Sequence, residues 1–515
     1  MLTYTFENRG KKSYYQYLYE QMKEDILEGK LAAGTKLPSK RSFAKHLNLS
    51  VMTIENAYGQ LLVEGYITSV EKKGYYVADI TGQVQIPPKE PYQIPEKTDA
   101  KGESGAEKTS AAGAGNADDR STGGKGNAAG DDVRGQQTDP VEKEKGSEEP
   151  FADFASNQVS SRHFPLSTWS KLMRRVLADQ GTEILKTGSH QGLYALREAI
   201  ARHLYRFRGM AVAPEQIVIG AGTEYLYQLL IQLLGRNRIY GIENPGYQKL
   251  AQVYDRNDVQ FRYLELDGEG LSLEALRRSE VQIVHTSPSH HFPTGIVMPI
   301  KRRRELLAWA SEDDRYIIED EYDCEFRFAG LPIPTLQSID TMGKVIYLNT
   351  FSKTLTPSVR ISYMVLPEHL LKLYRKKLGF YACTVSNFEQ YTLAKFISGG
   401  YFEKHINRMR NFYRNQRDLL LESIRKSSLS DKIQIKEENS GLHFLMEIDT
   451  ELPDEALEAV AGRNGLRISC LSRYYHQPEQ AKQHVIVLNY SAVDRERMDM
   501  AINVLSQCVT GRPED

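Results

Sequence analysis

In the first eighty residues, apolar side chains recur every three or four positions in three short segments, which is the spacing of one face of a helix. The first segment predicts a helix over residues 13–27. The second predicts a short helix that Ser39 caps and Asn48 ends, and the third predicts a helix that follows the cap residue Ser50 and stops at Gly65. The inward positions are Tyr15, Leu18, Tyr19, Met22 and Ile26, then Phe43, Ala44 and Leu47, then Ile54, Ala57, Tyr58, Leu61 and Leu62.

The next segment alternates differently and predicts strands. Residues 66–68 and 75–77 are rich in tyrosine and β-branched side chains, and they flank the sequence Glu-Lys-Lys-Gly at positions 71–74. This pattern is typical of a β-hairpin with a basic tip. A helix, a helix-turn-helix and a hairpin wing together make a module that reads DNA.

Residues 81–150 change character, because they are crowded with Gly, Ala, Ser, Pro, Lys, Glu and Asp and have few large apolar side chains. Such a segment buries too little surface to offset its ordering entropy, so it predicts a disordered linker. As a flexible coil of this length it would span roughly 45 Å. The predicted organisation is a head over residues 1–80, a linker over 81–150 and a body over 151–515.

In the body, short apolar runs alternate with helical stretches. The runs include "QIVIGAG", "RIYGIENPGY", "VQIVHTSP", "YIIEDEYD" and "KVIYLNTFSK". Buried parallel strands joined by crossover helices explain this alternation, so the body is predicted to have an α/β fold. Ligands of such folds collect at the carboxyl ends of the strands.

Composition and charge add little to this picture. The net charge of −1 does not by itself point to nucleic acid, so a DNA-binding surface would have to be local. The four cysteines form no C-x-x-C pair, which argues against a disulfide framework and a zinc site. Without a signal-like or membrane-spanning apolar run, the sequence predicts a soluble, cytoplasmic protein with no metal and no membrane partner.

Polar residues at the predicted strand ends suit pyridoxal 5'-phosphate. Lys353 offers an amine that can form a Schiff base with an aldehyde, and Asp320 offers a carboxylate that can keep a pyridine nitrogen protonated. Gly222 and Thr223 open a helix whose backbone N–H groups can hold a phosphate, with Arg360 adding positive charge. Each feature is common alone, so the signal is their joint occurrence.

The head resembles the GntR-type winged helix through "KLPSKRSFAKHLNLSVMTIENAYGQLLVEGYI" and the following "KKGYYV". The resemblance implies that certain head residues contact DNA, with lysines on phosphates and Thr53 and Asn56 near base edges. They are Lys40, Arg41, Thr53, Asn56, Lys72, Lys73 and Gly74. Val51 and Glu55 stand where many relatives carry arginine, so the operator sequence does not carry over.

The body resembles fold-type I aminotransferases, because Gly-Ala-Gly-Thr, Asn-Pro-Gly-Tyr, Asp-x-Tyr, Ser-Lys-Thr and an arginine follow one another in that order. The resemblance implies that Lys353 is the catalytic lysine that holds the cofactor. Asp320 would pair with the ring nitrogen, Tyr322 would bond the phenolic oxygen and Tyr247 would lie on or beside the ring. The phosphate would be held by Gly222, Thr223, Ser352 and Arg360. Tyr322 and Tyr247 have the alternative role of ordinary core aromatics, and histidines 190, 290 and 291 are expected to be structural.

Head and body in this order resemble the MocR-type, GabR-like subfamily of GntR regulators, with "FPLSTW", "HQGLYALREAI", "TPSVRISYMVLP" and "SGLHF" in its pattern. The resemblance implies a homodimeric transcription regulator that senses an amino acid or amine through aldimine chemistry and binds double-stranded promoter DNA. The alternatives are a working aminotransferase that carries a DNA-binding head and a sensor of the cofactor itself. Effector arginines of the γ-aminobutyrate relative fall at Ala492 and Lys249, and Phe292 replaces an asparagine of true aminotransferases. These departures argue against γ-aminobutyrate as effector and against efficient transamination.

Overall fold

The computed structural model describes residues 2–10, 12–70, 73–79, 150–157, 159–328, 333–438 and 441–510. The predicted linker over 81–150 lies outside the described residues except for Pro150, and so does Lys72. Within the described ranges, no helix is both long and apolar enough to cross a membrane.

The head forms the predicted three helices and hairpin. Its elements are α1 (Tyr14–Leu27), α2 (Lys40–Leu47), α3 (Val51–Val63), β1 (Ile67–Val70) and β2 (Gly74–Val77). The side chains of Ser39 and Ser50 accept hydrogen bonds from the third backbone N–H of α2 and α3, and Asn48 ends α2 in the left-handed conformation. Gly65, with φ +74°, follows α3. Strands β1 and β2 pair antiparallel.

The body contains the remaining elements. Its strands are β3 (Ala152–Asp153), β4 (Ile217–Gly220), β5 (Tyr240–Asn244), β6 (Phe261–Asp267), β7 (Gly270–Leu271), β8 (Ile283–Thr286), β9 (Tyr316–Glu321), β10 (Val345–Thr350), β11 (Ser362–Val365), β12 (Ile433–Lys436), β13 (His443–Ile448), β14 (Leu466–Arg467) and β15 (Val485–Asn489). Its helices are α4 (Leu166–Gln180), α5 (Tyr194–Arg208), α6 (Thr223–Leu234), α7 (Gln248–Arg256), α8 (Leu273–Arg278), α9 (Ile300–Ser311), α10 (Leu336–Ile339), α11 (Glu368–Leu378), α12 (Asn387–Ser398), α13 (Tyr401–Lys426), α14 (Asp454–Arg463) and α15 (Met498–Thr510).

Eight strands form one large sheet in the order β4-β11-β10-β9-β8-β5-β6-β7. The central neighbours β10, β9, β8, β5 and β6 run parallel, as the apolar runs predicted, while β11 is antiparallel to both β10 and β4. Strands β4, β8 and β10 are buried along their whole length, which suits a sheet covered on both faces. The order places the carboxyl ends of β9 and β10 side by side.

A second, three-stranded antiparallel sheet, β12-β13-β15, lies in the carboxyl-terminal part of the body. Its buried side chains, among them Phe444, Met446 and Leu488, share one apolar core with α13 and α15. The body therefore has a large parallel-sheet lobe and a smaller lobe.

The head contacts the body where α3 ends and α9 begins. The backbone N–H of Ile300 donates to the carbonyl of Glu64 (3.0 Å), and the Ile300 side chain is buried in the apolar core of the head. A Cβ at Gly65 would lie 2.7 Å from the Cβ of Pro299, so only glycine allows this approach. The end of α3 and the start of α9 thus pack directly against each other.

Candidate cofactor site and DNA-reading surface

A cavity of about 590 Å³ lies at the carboxyl ends of the sheet strands. Most of the residues predicted to hold the cofactor line it, namely Thr223, Tyr247, Asp320, Tyr322, Ser352, Lys353 and Arg360. Gly222 immediately precedes Thr223, the first residue of α6. The fold therefore brings together the residues that the motifs singled out, from β5, β9, β10, β11 and the start of α6.

Lys353 follows β10 and is partly buried at the cavity wall. Burial lowers its pKa to about 8, although the carboxylate of Asp323 acts in the opposite direction. The ammonium donates a hydrogen bond to the backbone carbonyl of Asn157, which the sequence reasoning did not identify. A lysine with a lowered pKa is a ready nucleophile near neutral pH.

Asp320 lies in β9, where two residues that the sequence reasoning missed hold its carboxylate. The hydroxyl of Tyr227 on α6 donates to Oδ2, and Nε2 of His285 lies 3.2 Å from the same oxygen. Nδ1 of His285 in turn lies 2.9 Å from the hydroxyl of Tyr254. These partners fix the carboxylate at the cavity wall, where it can pair with a protonated ring nitrogen.

Gly222 and Arg360, which the sequence predicts to hold the phosphate, lie in direct contact. Gly222 has φ +96°, and a Cβ there would lie 2.3 Å from a guanidinium nitrogen of Arg360. Arg360 lies 2.8 Å from Glu224, which also binds Lys249 (2.6 Å). Burial would raise the pKa of Glu224, but the hydrogen bonds from Lys249 and Arg360 outweigh it and lower that pKa to about 2.

Ser352 and Tyr247 both line this cavity. The Ser352 hydroxyl accepts a hydrogen bond from Thr350 (3.0 Å), whose hydroxyl in turn accepts from Ser362 (2.9 Å). Tyr247 precedes α7 and is 48% exposed, so its ring borders the cavity and is not a core aromatic.

Glu243 is a further buried carboxylate on the wall that the sequence reasoning missed. It accepts hydrogen bonds from the Thr286 hydroxyl (2.6 Å) and the Ser287 backbone (3.1 Å), and Nε2 of His291 lies 3.4 Å away. Burial raises its pKa to about 7. The only sequence signal was its place at a strand end, next to Asn-Pro-Gly-Tyr.

The cavity fits pyridoxal phosphate on observations beyond the motifs. The side-chain oxygen of Asn157 is buried in the wall and has no hydrogen-bond partner among the described residues. The space above Gly222 lies against the Arg360 guanidinium at the amino end of a twelve-residue helix, where an anion is stabilised. A buried amine, a fixed carboxylate and an anion cradle are the features that this cofactor needs.

On the head, the described residues among those predicted to contact DNA lie on α2, α3 and the hairpin. Asn56 and Arg41 are exposed on α3 and α2, and the Thr53 hydroxyl lies 2.8 Å from that of the cap residue Ser50. Lys40 forms a 2.6 Å ion pair with Glu55, which occupies the position where relatives carry arginine. Lys73 is exposed at the hairpin tip, and Gly74 has φ +108°.

Comparison with known proteins identifies both parts of the chain. Residues 149–505 match the family "Aminotransferase class I and II", and residues 14–77 match "Bacterial regulatory proteins, gntR family". The fold is similar to that of a Pyrococcus horikoshii kynurenine aminotransferase solved with PMP (25% identity, TM-score 0.63, 72% of this chain and 93% of that one). The chain is a transcription regulator with a winged helix-turn-helix head and a pyridoxal-phosphate-binding body of the type I aminotransferase fold.

Relatives that share both domains define the family. The chain is 37% identical to the HTH-type transcriptional regulator YdeL of Bacillus subtilis, over 90% of each chain. It is 30% identical to the probable rhizopine catabolism regulatory protein MocR of Rhizobium meliloti, over 95% of this chain and 92% of that one. The chain belongs to the MocR-type subfamily of GntR regulators.

The lowered pKa of Lys353 predicts a pH dependence of cofactor uptake. The neutral amine attacks the aldehyde, so the initial uptake rate of the cofactor-free protein is expected to rise with pH to a plateau with a midpoint near 8. An ordinary lysine would give a midpoint near 10.5. Stopped-flow absorbance between pH 6 and 10 checks this, and a rate still rising steeply at pH 10 would contradict it.

Proposed function

We propose that an amine or amino acid that enters the cavity and reacts at Lys353 changes the grip of the head on promoter DNA. The bound cofactor supplies an aldehyde carbon for exchange between Lys353 and the amino group of the effector. The chain supplies the rest. Asp320 holds the ring nitrogen, Arg360 and the start of α6 hold the phosphate, and Lys353 is released as a free amine when the effector takes its place.

The observation that carries this proposal is the direct contact between the end of α3 in the head and the start of α9 in the body. Ile300 lies in the head core, and one turn later the buried Arg303 donates to the carbonyls of Met298, Pro288 and Pro334. Arg303 also lies 3.8 Å from Glu319, the residue before Asp320 in β9. A movement at the carboxyl end of β9 can therefore be transmitted to α3 through buried residues that contact one another.

The cavity favours regulation over turnover. Phe292 lines it where true aminotransferases place an asparagine, and it packs edge-on against Tyr322 with ring centres 6.3 Å apart. An aromatic ring there cannot donate a hydrogen bond to the cofactor. Lys249, at the position of an effector-carboxylate arginine, is already paired with Glu224. The effector that fits best is one whose carboxylate does not need to bind Lys249. This argues against γ-aminobutyrate as the preferred ligand.

We also propose a cytoplasmic homodimer with the domain boundaries 1–80, 81–150 and 151–515. Large apolar side chains of the body are exposed, namely Leu166, Leu185, Tyr194 and Phe380. Exposed apolar side chains suit an interface, and a second copy is the partner that fold-type I proteins use.

Ile300→Ala tests the proposed coupling. Removing this buried side chain opens a cavity between head and body at a cost of about 2–4 kcal/mol in packing. We expect the effector- or cofactor-induced change in promoter affinity to fall to less than about twofold. Fluorescence anisotropy with labelled promoter DNA measures it, and Lys301→Ala, an exposed neighbour on α9, is the control. Full retention of the response in the Ile300 variant would contradict the route.

A further inference from the structure

Tyr322 is partly buried and lines the cavity, and its hydroxyl contacts a histidine that the function described so far does not use. The Tyr322 oxygen lies 3.0 Å from Nδ1 of His290. The same Nδ1 lies 2.9 and 3.0 Å from the two carboxylate oxygens of Asp323. His290 and Asp323 are both buried.

The proton positions in this trio follow from elementary chemistry. An ionised carboxylate only accepts, so the contact with Asp323 requires that His290 carries its hydrogen on Nδ1. That N–H is then shared between Asp323 and the Tyr322 oxygen, which cannot donate to Nδ1 at the same time. The hydroxyl hydrogen of Tyr322 must point elsewhere, and the side of Tyr322 that remains is the cavity.

Two further observations agree with this arrangement. Nε2 of His290 is buried and has no partner within the described ranges, as expected of a nitrogen that carries no hydrogen to donate. Burial and the neighbouring carboxylates of Asp323, Glu321 and Asp320 raise the pKa of Tyr322 well above its usual range, so the phenol keeps its hydrogen near neutral pH.

We propose that His290 and Asp323 are positioning residues that fix the Tyr322 hydroxyl as a hydrogen-bond donor into the cofactor cavity. This inference rests on the proposed function and on the role that the resemblance to fold-type I aminotransferases implies for Tyr322, a bond to the phenolic oxygen of the cofactor. A donor held in advance stabilises that oxygen as an anion without reorganisation cost. The pair therefore affects both how tightly the cofactor is held and the absorbance that reports its protonation.

A metal ion is the competing occupant of this cluster. The ligand-type atoms of His290, Asp323 and His443 lie within 4.8 Å of one another. However, Nε2 of His443 already contacts the carbonyl of Pro293 (3.0 Å), and the adjoining cavity holds only about 10 Å³ and is lined by the buried guanidinium of Arg208. A buried positive charge beside the same small cavity disfavours a second cation.

The test compares two substitutions of His290 in the full-length protein. The amide of Asn can place a donor near the position of Nδ1, whereas Leu fills the volume without a donor. We expect His290→Leu to bind the cofactor about three- to tenfold more weakly than His290→Asn, the range of one hydrogen bond, and to shift its absorbance pH profile. A purely structural histidine would change the thermal stability of both cofactor-free variants but leave the absorbance pH profile of the bound cofactor as it is in the wild-type protein.

Tyr322→Phe separates this inference from the proposed function. If His290 acts through Tyr322, His290→Leu has little further effect in the Tyr322→Phe background. A full effect in that background would overturn the inference alone. An unchanged spectrum in Tyr322→Phe itself would remove the proposed role of Tyr322. One metal ion per chain that is lost in His443→Ala would also overturn the positioning role of His290.

Discussion

Lys353→Ala is expected to abolish the visible absorbance band of the cofactor-loaded protein completely. Among the described residues that line the cavity, the other side-chain amine is that of Lys249, which is paired with Glu224. Lys353 contacts the Asn157 carbonyl and has a pKa lowered to about 8, so it is the amine suited to act as nucleophile. The anion cradle and Asp320 remain, so the cofactor still binds, but it is expected to be lost on dialysis. Promoter affinity should then no longer respond to amines.

The control for this variant is Lys395→Ala, which removes a lysine paired with Asp179 outside the cavity. It should keep the band and its response to amines. Spectra of both variants between 300 and 500 nm, recorded with excess cofactor and after dialysis, make the comparison. An undiminished band in Lys353→Ala after dialysis would mean that another amine holds the cofactor.

Thr53→Ala combined with Asn56→Ala is expected to lower promoter affinity at least about thirtyfold, because each base-edge contact contributes about 1–3 kcal/mol. Both side chains lie on α3, outside the buried core of the head, so the fold should persist. The cofactor spectrum should be unchanged. Glu24→Gln, at an exposed position of α1, is the control for surface changes in the head.

A contact with phosphate behaves differently from a contact with a base edge. Lys73→Ala should weaken binding to specific and nonspecific DNA alike and reduce the salt dependence of log affinity by about one. The double variant on α3 should instead erase the difference between the two DNAs. If both variants changed affinity equally for every sequence, α3 would not be the reading element.

Local signals made the head predictable. Ser39 caps the start of α2 and Asn48, in the left-handed conformation, ends it, as predicted. Ser50 likewise caps the start of α3. The body sheet was predictable for a similar reason, since a strand buried on both faces leaves an unbroken apolar run such as "KVIYLNTFSK".

The cofactor site was only partly predictable. Lys353, Asp320 and Arg360 stand at strand ends inside recognisable motifs, so position and chemistry agree. Tyr227 carries no such signal, because it belongs to the apolar stripe of α6 and meets Asp320 across 93 positions of sequence. Asn157 meets Lys353 through its backbone carbonyl, a contact that no side-chain pattern encodes.

The contact between head and body was not predictable. The stripes of α1 and α3 indicated a head that closes its own core, yet Ile300 from the body completes that core. Only tertiary structure brings this isoleucine, at the start of a basic helix, next to Gly65.

In the proposed function, the cofactor-binding body controls how tightly the head binds promoter DNA. Fluorescence anisotropy of labelled promoter DNA with the cofactor-free protein, the cofactor-loaded protein and the loaded protein plus a panel of amines and amino acids tests it most directly. We expect the promoter affinity of the wild-type protein to change by about fivefold or more on loading with the cofactor or on adding one class of amine. In Lys353→Ala we expect the promoter affinity to stay constant. The same affinity in all three states of the wild-type protein would contradict it.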